Sequence, residues 1–454
     1  MPISLRSVDI PDFGGSAEQP AVPPSTYDMR AKTAYQRAGV DWVAVYADRE
    51  HFANMAFLSG FEPRFEEAFL LLGGEGRRIL VVGNESRGYV GNARLPGLDI
   101  RLGQSLSLMG QDRTKEPRLA DTLGDLGIKR GDSVGLIGWK YLDPEEDEDF
   151  ANAFYVPAAY VEMFKRRVGP AGEIRDATRV LMHPEVGLRA TIDADQIAAF
   201  EWAAVRCSRS VWKILSGVRV GESEYEAVRR MEYEGDPLNV HTMFASSPTG
   251  EPVVGLRSPT SRRLQRGDSV TSAIGYWGAL SCRAGLVSQG NDEFLVAARA
   301  YFAALATWYD VADIGTTGGE VHAAVIDRLA EGRLNAALNP GHLTGHEEWM
   351  HSPIRPKSRE KLRSGMPFQV DIIPTKVPRN WALNCEDPVV LADQSLRDAL
   401  KGKHPDCFAR VEMRQKFMRE ALGVEIRPNI LPLSATPLCL PPFWLKATKI
   451  LVRD

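Results

Sequence analysis

The chain has 454 residues, 44% hydrophobic and 25% charged, an ordinary make-up for a globular protein with room for two or three domains of ~150 residues. A net charge of −4 gives no electrostatic reason to bind nucleic acid or anionic membranes, and no apolar run approaches the ~18 residues that span a bilayer. Five cysteines (Cys207, Cys282, Cys385, Cys407, Cys439) lie scattered without CxxC spacing, and no basic stretch with an apolar core opens the chain, so a reduced cytoplasmic protein is expected.

Residues 1–25, rich in Pro, Gly and Ser, read as an irregular arm. From Tyr27 a helical stretch leads into a strand at Asp41–Tyr46, and apolar runs at Ala68–Leu72 and Arg78–Val82 read as two more. An acidic run, Asp143–Asp149, is expected to form a solvated loop before a helix at Phe150. Short strands such as Ser133–Ile137 alternate with helical pattern, which implies a small α/β domain over residues 26–185. A repeat follows. Helices at Ala194–Leu215 and Glu293–Tyr309 each run into a glycine turn (Gly217–Glu224 and Asp313–Glu320), then a second helix, then strands. Residues 393–454 read as a C-terminal extension: a helix at Leu396–Leu422, then Pro-punctuated strands at Ile430–Leu433 and Pro441–Leu445.

Between the repeats, Gly267 to Ala284 reads as strand, glycine turn and returning strand, with Ala273 and Ala284 on its two arms. Then come a Gly341-His342-Leu-Thr-Gly345 turn, a strand ending at Asp371 and a strand carrying Asn384 and Glu386. Residues two apart on a strand share a face, so Cys282 goes with Ala284, Gln369 with Asp371, and Asn384 with Glu386. Cys385 and Arg283 then point the other way.

This succession resembles the pita-bread superfamily of methionine aminopeptidase, aminopeptidase P, prolidase and creatinase. Phe57-Leu-Ser-Gly-Phe61 is also similar to a Tyr-Leu-Thr-Gly-Phe run of prolidases. The resemblance implies an N-terminal α/β domain and, over residues 186–392, an α+β pita-bread catalytic domain with an internal pseudo-two-fold repeat and its site between the halves. The metallopeptidases of that family bind two metals through Asp, Asp, His, Glu and Glu. The matching positions here read Ala273, Ala284, His342, Asp371 and Glu386. A methyl group donates nothing to an ion, so the dinuclear site is expected to be absent and no cofactor is assigned. A single weak divalent ion on His342, Asp371 and Glu386 stays open.

The superfamily's creatinase branch works without metal, but its catalytic histidine falls here at Leu256. His342 is then the leading proton-transfer residue, with Asp371 and Glu386 as carboxyl partners whose crowding would keep one protonated. A second family histidine lies a few residues beyond the first; Trp349 holds the simple spacing, and His351 is the candidate equivalent. Trp277, Trp381, Cys282 and Asn384 are candidate substrate contacts, against the plainer reading that the aromatics pack under loops. Arg64 is similar to a creatinase arginine that reaches the neighbouring protomer's substrate, and a surface arginine is its rival reading.

These residues point to a homodimeric, creatinase-like hydrolase that cleaves a carbon–nitrogen bond in a small polar molecule by metal-independent acid/base chemistry. An Xaa-Pro-type metallopeptidase with an atypical or single metal, an inactive binding protein, and a lyase on the same fold are the alternatives. No nucleic-acid or membrane partner is expected.

Overall fold

A computed structural model describes residues 2–114 and 117–454. The chain divides into two compact units, one of residues 22–190 and one that joins residues 1–21 to 191–454. The expected boundary near residue 185 therefore lies a few residues too early. The arm at 1–25 is not wholly irregular: it contains strand β1 (Ile3–Ser7).

In the 22–190 unit, a helix at Pro24–Ala38 precedes β2 (Trp42–Ala47), β3 (Ala68–Gly73), β4 (Arg77–Val82), β5 (Asp99–Leu102), β6 (Ser133–Ile137) and β7 (Glu173–Asp176). They form one mixed sheet in the order β5-β4-β3-β2-β6-β7. The central strands are continuous runs of Val, Ala and Leu because both faces are covered. Its core gathers Phe69, Leu71, Val134, Leu136 and Phe164. The acidic run ends in a single 3₁₀ turn at Phe150–Asn152; the helix starts later, at Ala158, behind Pro157.

The other unit is built on a seven-stranded sheet. Its strands are β8 (Met243–Ser247), β9 (Ser269–Tyr276), β10 (Ala279–Leu286), β12 (His342–Leu343), β13 (Pro367–Val370), β15 (Asn384–Leu391) and β16 (Ile430–Pro432); β11 (Asn335–Ala336) and β14 (Pro374–Thr375) pair separately. The main path runs β12-β13-β15-β10-β9-β8, with β16 added to β15. The two long helices, Ala194–Gly217 and Asp292–Val311, lead the two repeats. Each short helix that follows starts in a capping box, Ser223 with Glu226 and Thr317 with Glu320, so the duplication extends to the hydrogen bonds that begin the helix.

The turn between β9 and β10 is Trp277-Gly278. Gly278 has φ 105°, and a side chain there would meet the Phe200 ring at 2.2 Å, so only glycine closes this hairpin. In the extension the expected long helix is two, Gln394–Lys403 and Pro405–Glu420, because Pro405 cannot continue the first. Pro441–Leu445 is not a strand. The last strand is instead β17 (Lys449–Arg453), which pairs antiparallel with β1. Among the described residues, no helix is long and apolar enough to cross a membrane.

Candidate active site

One face of the seven-stranded sheet carries the residues the sequence singled out. The register runs Met243–Ala273–Cys282–Glu386 straight across β8, β9, β10 and β15, with Thr271–Ala284–Asn384 one rung away. His342 pairs Gln369 on the next strands, and Asp371 follows two residues on from Gln369. Exposure alternates with the pleat: Thr271, Ala273, Cys282, Asn384 and Glu386 keep 7%, 7%, 6%, 9% and 5%, whereas Ser272, Ile274, Ser281 and Arg283 keep 0%, 0%, 0% and 1%. The Ala273 face, the floor of the candidate site, is therefore the less tightly covered one, although Ala284, His342 and Gln369 on it keep 1%, 0% and 0%, and the other face is core.

The two halves of the floor differ in chemistry. On one side donor atoms of His342, Asp371 and Glu386 lie within 4.8 Å of one another. On the other, Met243, Ala273, Leu280 and Cys282 form an apolar patch against which Val240 packs. Carboxylates at 273 and 284 would stand on or beside that patch. Ala273 and Ala284 supply methyl groups instead, so the residues present do not fit a pair of metal ions.

A residue that the motifs did not reveal completes the acid cluster. Glu348 places Oε1 at 2.9 Å from His342 Nε2, and Glu386 Oε1 lies 3.9 Å from the same nitrogen. Nδ1 of His342 is 3.3 Å from the carbonyl of Leu343, to which it can donate. Trp349, at the spacing where the resemblance puts a histidine, stacks on the His342 ring at 4.0 Å and 19°. The turn at Gly345–Met350 thus lays an acid and an indole over one imidazole. Glu348, six positions past the histidine, had no sequence signal beyond its charge, whereas Trp349, at seven, stood at the simple family spacing.

Burial sets the protonation of the cluster. It pushes Asp371 up to about 6, against the lowering effect of His342 and of a hydrogen bond with Asn384. Burial, then the charges of Asp371, Glu348 and Asp387, hold Glu386 well above the usual carboxylate range. His342 would be lowered by burial, but Glu348 first and Asp371 next outweigh this and leave it raised. Asp371 Oδ1, Glu386 Oε1 and Gln369 Oε1 are buried and make no hydrogen bond within the protein.

The other expected site residues are distributed as follows. Cys282 is opposite Glu386, and burial first, and then Glu386, push its thiol far up, so it faces the site as a neutral thiol. Asn384 faces the cleft beside Asp371. His351 bridges Leu343 through the backbone (Leu343 N to His351 O, 2.6 Å). Directly paired residues share a side, so His351 is placed on the side of Leu343. Trp277 meets His346 at 6.0 Å, and Trp381 is buried edge-on to Phe294 at 5.4 Å. Arg64, with φ 59°, is ion-paired to Glu62 at 2.6 Å and donates to the Tyr89 hydroxyl at 2.7 Å within the 22–190 unit.

Behind the floor, Arg283 is fully buried. It binds the Asp387 carboxylate at 2.7 Å and donates to the carbonyls of Glu386, Thr436 and Cys439. Asp387 also accepts from the Leu438 amide. The strand that presents Glu386 is thereby tied to the C-terminal extension.

No protein-family profile and no curated protein matches the chain by sequence. Solved structures do match in three dimensions. The prolidase of Pyrococcus horikoshii superposes with TM-score 0.62 at 17% identity, over 80% of this chain and 95% of that one. The chain has the pita-bread fold. An X-Pro aminopeptidase from Thermotoga maritima (TM-score 0.62, 18% identity, 81% and 95% covered) and an Xaa-Pro dipeptidase from Bacillus anthracis (0.60, 17%, 82% and 96%) give the same result. At this identity the likeness is one of fold, and the two alanines sit in the strands at its centre.

Proposed function

We propose that the cleft hydrolyses a carbon–nitrogen bond in a small polar molecule by proton transfer, in the manner of the metal-independent creatinase branch. The observation that carries this reading is the buried, mutually perturbed cluster of Asp371, Glu386, His342 and Glu348 beside an apolar patch where chelating carboxylates would stand. Of the two acids, Glu386, raised well above the usual range, is the proton donor, and Asp371, at about 6, is the one that ionises toward neutral pH; His342, raised by Glu348, is favoured as a cation. Asp371 takes a proton from water as the water oxygen bonds to the substrate carbon. Glu386 gives its proton to the leaving nitrogen as the carbon–nitrogen bond breaks. The His342 cation offsets the negative charge that develops between them.

A second reading places one divalent ion on His342, Asp371 and Glu386, favoured by the mutual proximity of their donor atoms. Such an ion would supply a Lewis acid, as in an Xaa-Pro-type peptidase. The test is to treat purified protein with EDTA, offer small amides, ureas, guanidino acids and proline dipeptides, and follow amine release by NMR. Turnover that survives EDTA and falls about 10²–10⁴-fold in a folded Glu386→Gln variant is expected. Turnover restored only by added Mn²⁺ or Zn²⁺ supports the second reading. Turnover undiminished by Glu386→Gln refutes the proton-transfer reading, and thermal stabilisation by a compound that is never converted would mark a binding protein.

A further inference from the structure

The apolar patch has a polar far edge. The segment before β8 lies along the end of β9: Leu238 bridges Tyr276, and the Asn239 amide N–H donates to the Gly275 carbonyl at 3.2 Å. Gly275 shares a face with Ala273. A side chain built on it would come 2.0 Å from Asn239 Oδ1 and 3.2 Å from Val240, so the Asn239 amide lies over the cleft face where residue 275 has no side chain. Asn239 as a residue is only partly buried, yet Oδ1 and Nδ2 are both shielded from solvent, and neither makes a hydrogen bond within the protein. A buried amide with both functions unused is costly unless something pairs with it. Val240, its neighbour, packs on the patch of Met243, Ala273, Leu280 and Cys282, which leads on to Glu386.

Building on the hydrolytic reading, we propose that Asn239 is a specificity residue: the substrate spans the apolar patch, with its scissile nitrogen at Asp371 and Glu386 and a neutral amide- or urea-type group on the Asn239 side chain. The chemistry of the far group follows from the partner. A carboxamide offers one acceptor and one donor pair, and is matched by a group that offers both in return. An anionic group would leave Oδ1 unpaired and would enter a cleft that already holds Glu348, Asp371 and Glu386 against one histidine. The apolar stretch between the two ends excludes a substrate that is polar throughout. Two strand spacings and two residues along the sheet separate the ends by roughly 12 Å at the backbone, less the reach of the side chains from either end. A spacer of a few methylenes fills that gap.

The probes are ω-aminoalkanamides with three to six carbons, which mimic a released amine that keeps its amide. They are compared with the alkylamines and ω-amino acids of equal length by calorimetric titration. The amide is expected to bind at least about tenfold more tightly than either counterpart at one preferred length. Asn239→Leu removes that preference while leaving alkylamine binding in place. Gly275→Ala, which drives a methyl group into the Asn239 amide, does the same while residue 239 stays asparagine. A preference for the amide that persists in both variants, equal binding of the three probe types, or binding of none of them overturns the assignment. Failure of the hydrolytic reading is separate: it is read from turnover in Glu386→Gln, whereas this series reads only which end group binds.

Discussion

His342 is a single imidazole asked to face two kinds of carboxyl group. Glu348 holds it charged from the rim, and Asp371 and Glu386 lie below it with pKa values raised by burial. A carboxyl whose folded pKa exceeds its unfolded value contributes stability that is present below the unfolded pKa, near ~4, and lost as pH rises through the folded one. For Asp371 that window runs from there to about 6, and for Glu386 it extends higher. Asp371→Asn removes the buried charge. It should raise the melting temperature at pH 8 by roughly 2–4 °C, with the gain shrinking toward zero near pH 4, as read by scanning calorimetry. A gain that is larger in acid than in base would contradict the protonation described here. His342, Asp371 and Glu386 were legible in the sequence because each sits in a short glycine-bounded or alternating segment whose face can be counted. Glu348 was not, and Trp349 was seen only as the occupant of a histidine's spacing, not as a ring stacked on His342. Their positions depend on how the Gly345–Met350 turn folds back, which no periodicity encodes. His351 depends on the same turn: its spacing was readable, whereas its backbone bridge to Leu343 was not.

Among the elements, β10 and β15 carry different duties on their two faces. Cys282 and Glu386 look into the cleft, while Arg283 and Asp387, one residue along, form a buried ion pair beneath them. Removing one member of such a pair leaves a charge without a partner and costs about 3–5 kcal/mol. Arg283→Met should therefore lower the urea midpoint strongly, and Arg283→Met combined with Asp387→Leu should recover much of the loss. A double variant no better than the single one would show that the carbonyls of Thr436 and Cys439, and not Asp387, are what Arg283 serves. Alternation alone told that Arg283 and Cys385 turn away from the cleft. It could not tell what they meet, because Thr436–Cys439 lies about 150 residues on, in a stretch with no regular pattern. The strand at Lys449–Arg453 escaped notice since its partner is near the opposite end of the chain.

At the scale of the whole molecule, the 22–190 unit has its own sheet and its own core. Expressed alone, residues 22–190 should fold, with dispersed amide resonances and a cooperative thermal transition; a collapsed spectrum would show that the unit depends on the rest of the chain. The remaining unit should tolerate loss of the extension less readily. Glu201 is fully buried between Arg410 and Arg414, and truncation after residue 392 strips both partners from it. The two-half plan was readable from the repeated helix–turn–helix pattern, and the resemblance supplied its arrangement; the tail's part in the core was not, because the Glu201 pairing spans some 210 residues.

The pairing of β1 with β17 has a consequence for biosynthesis. As the nascent polypeptide leaves the ribosome, Ile3–Ser7 emerges long before the strand it pairs with. The 22–190 unit is translated while that strand waits, and only Lys449–Arg453 supplies its mate. Joining the two strands thus comes after the whole of the 22–190 unit has been made, and until then the backbone of Ile3–Ser7 lacks the partner it has in the folded chain.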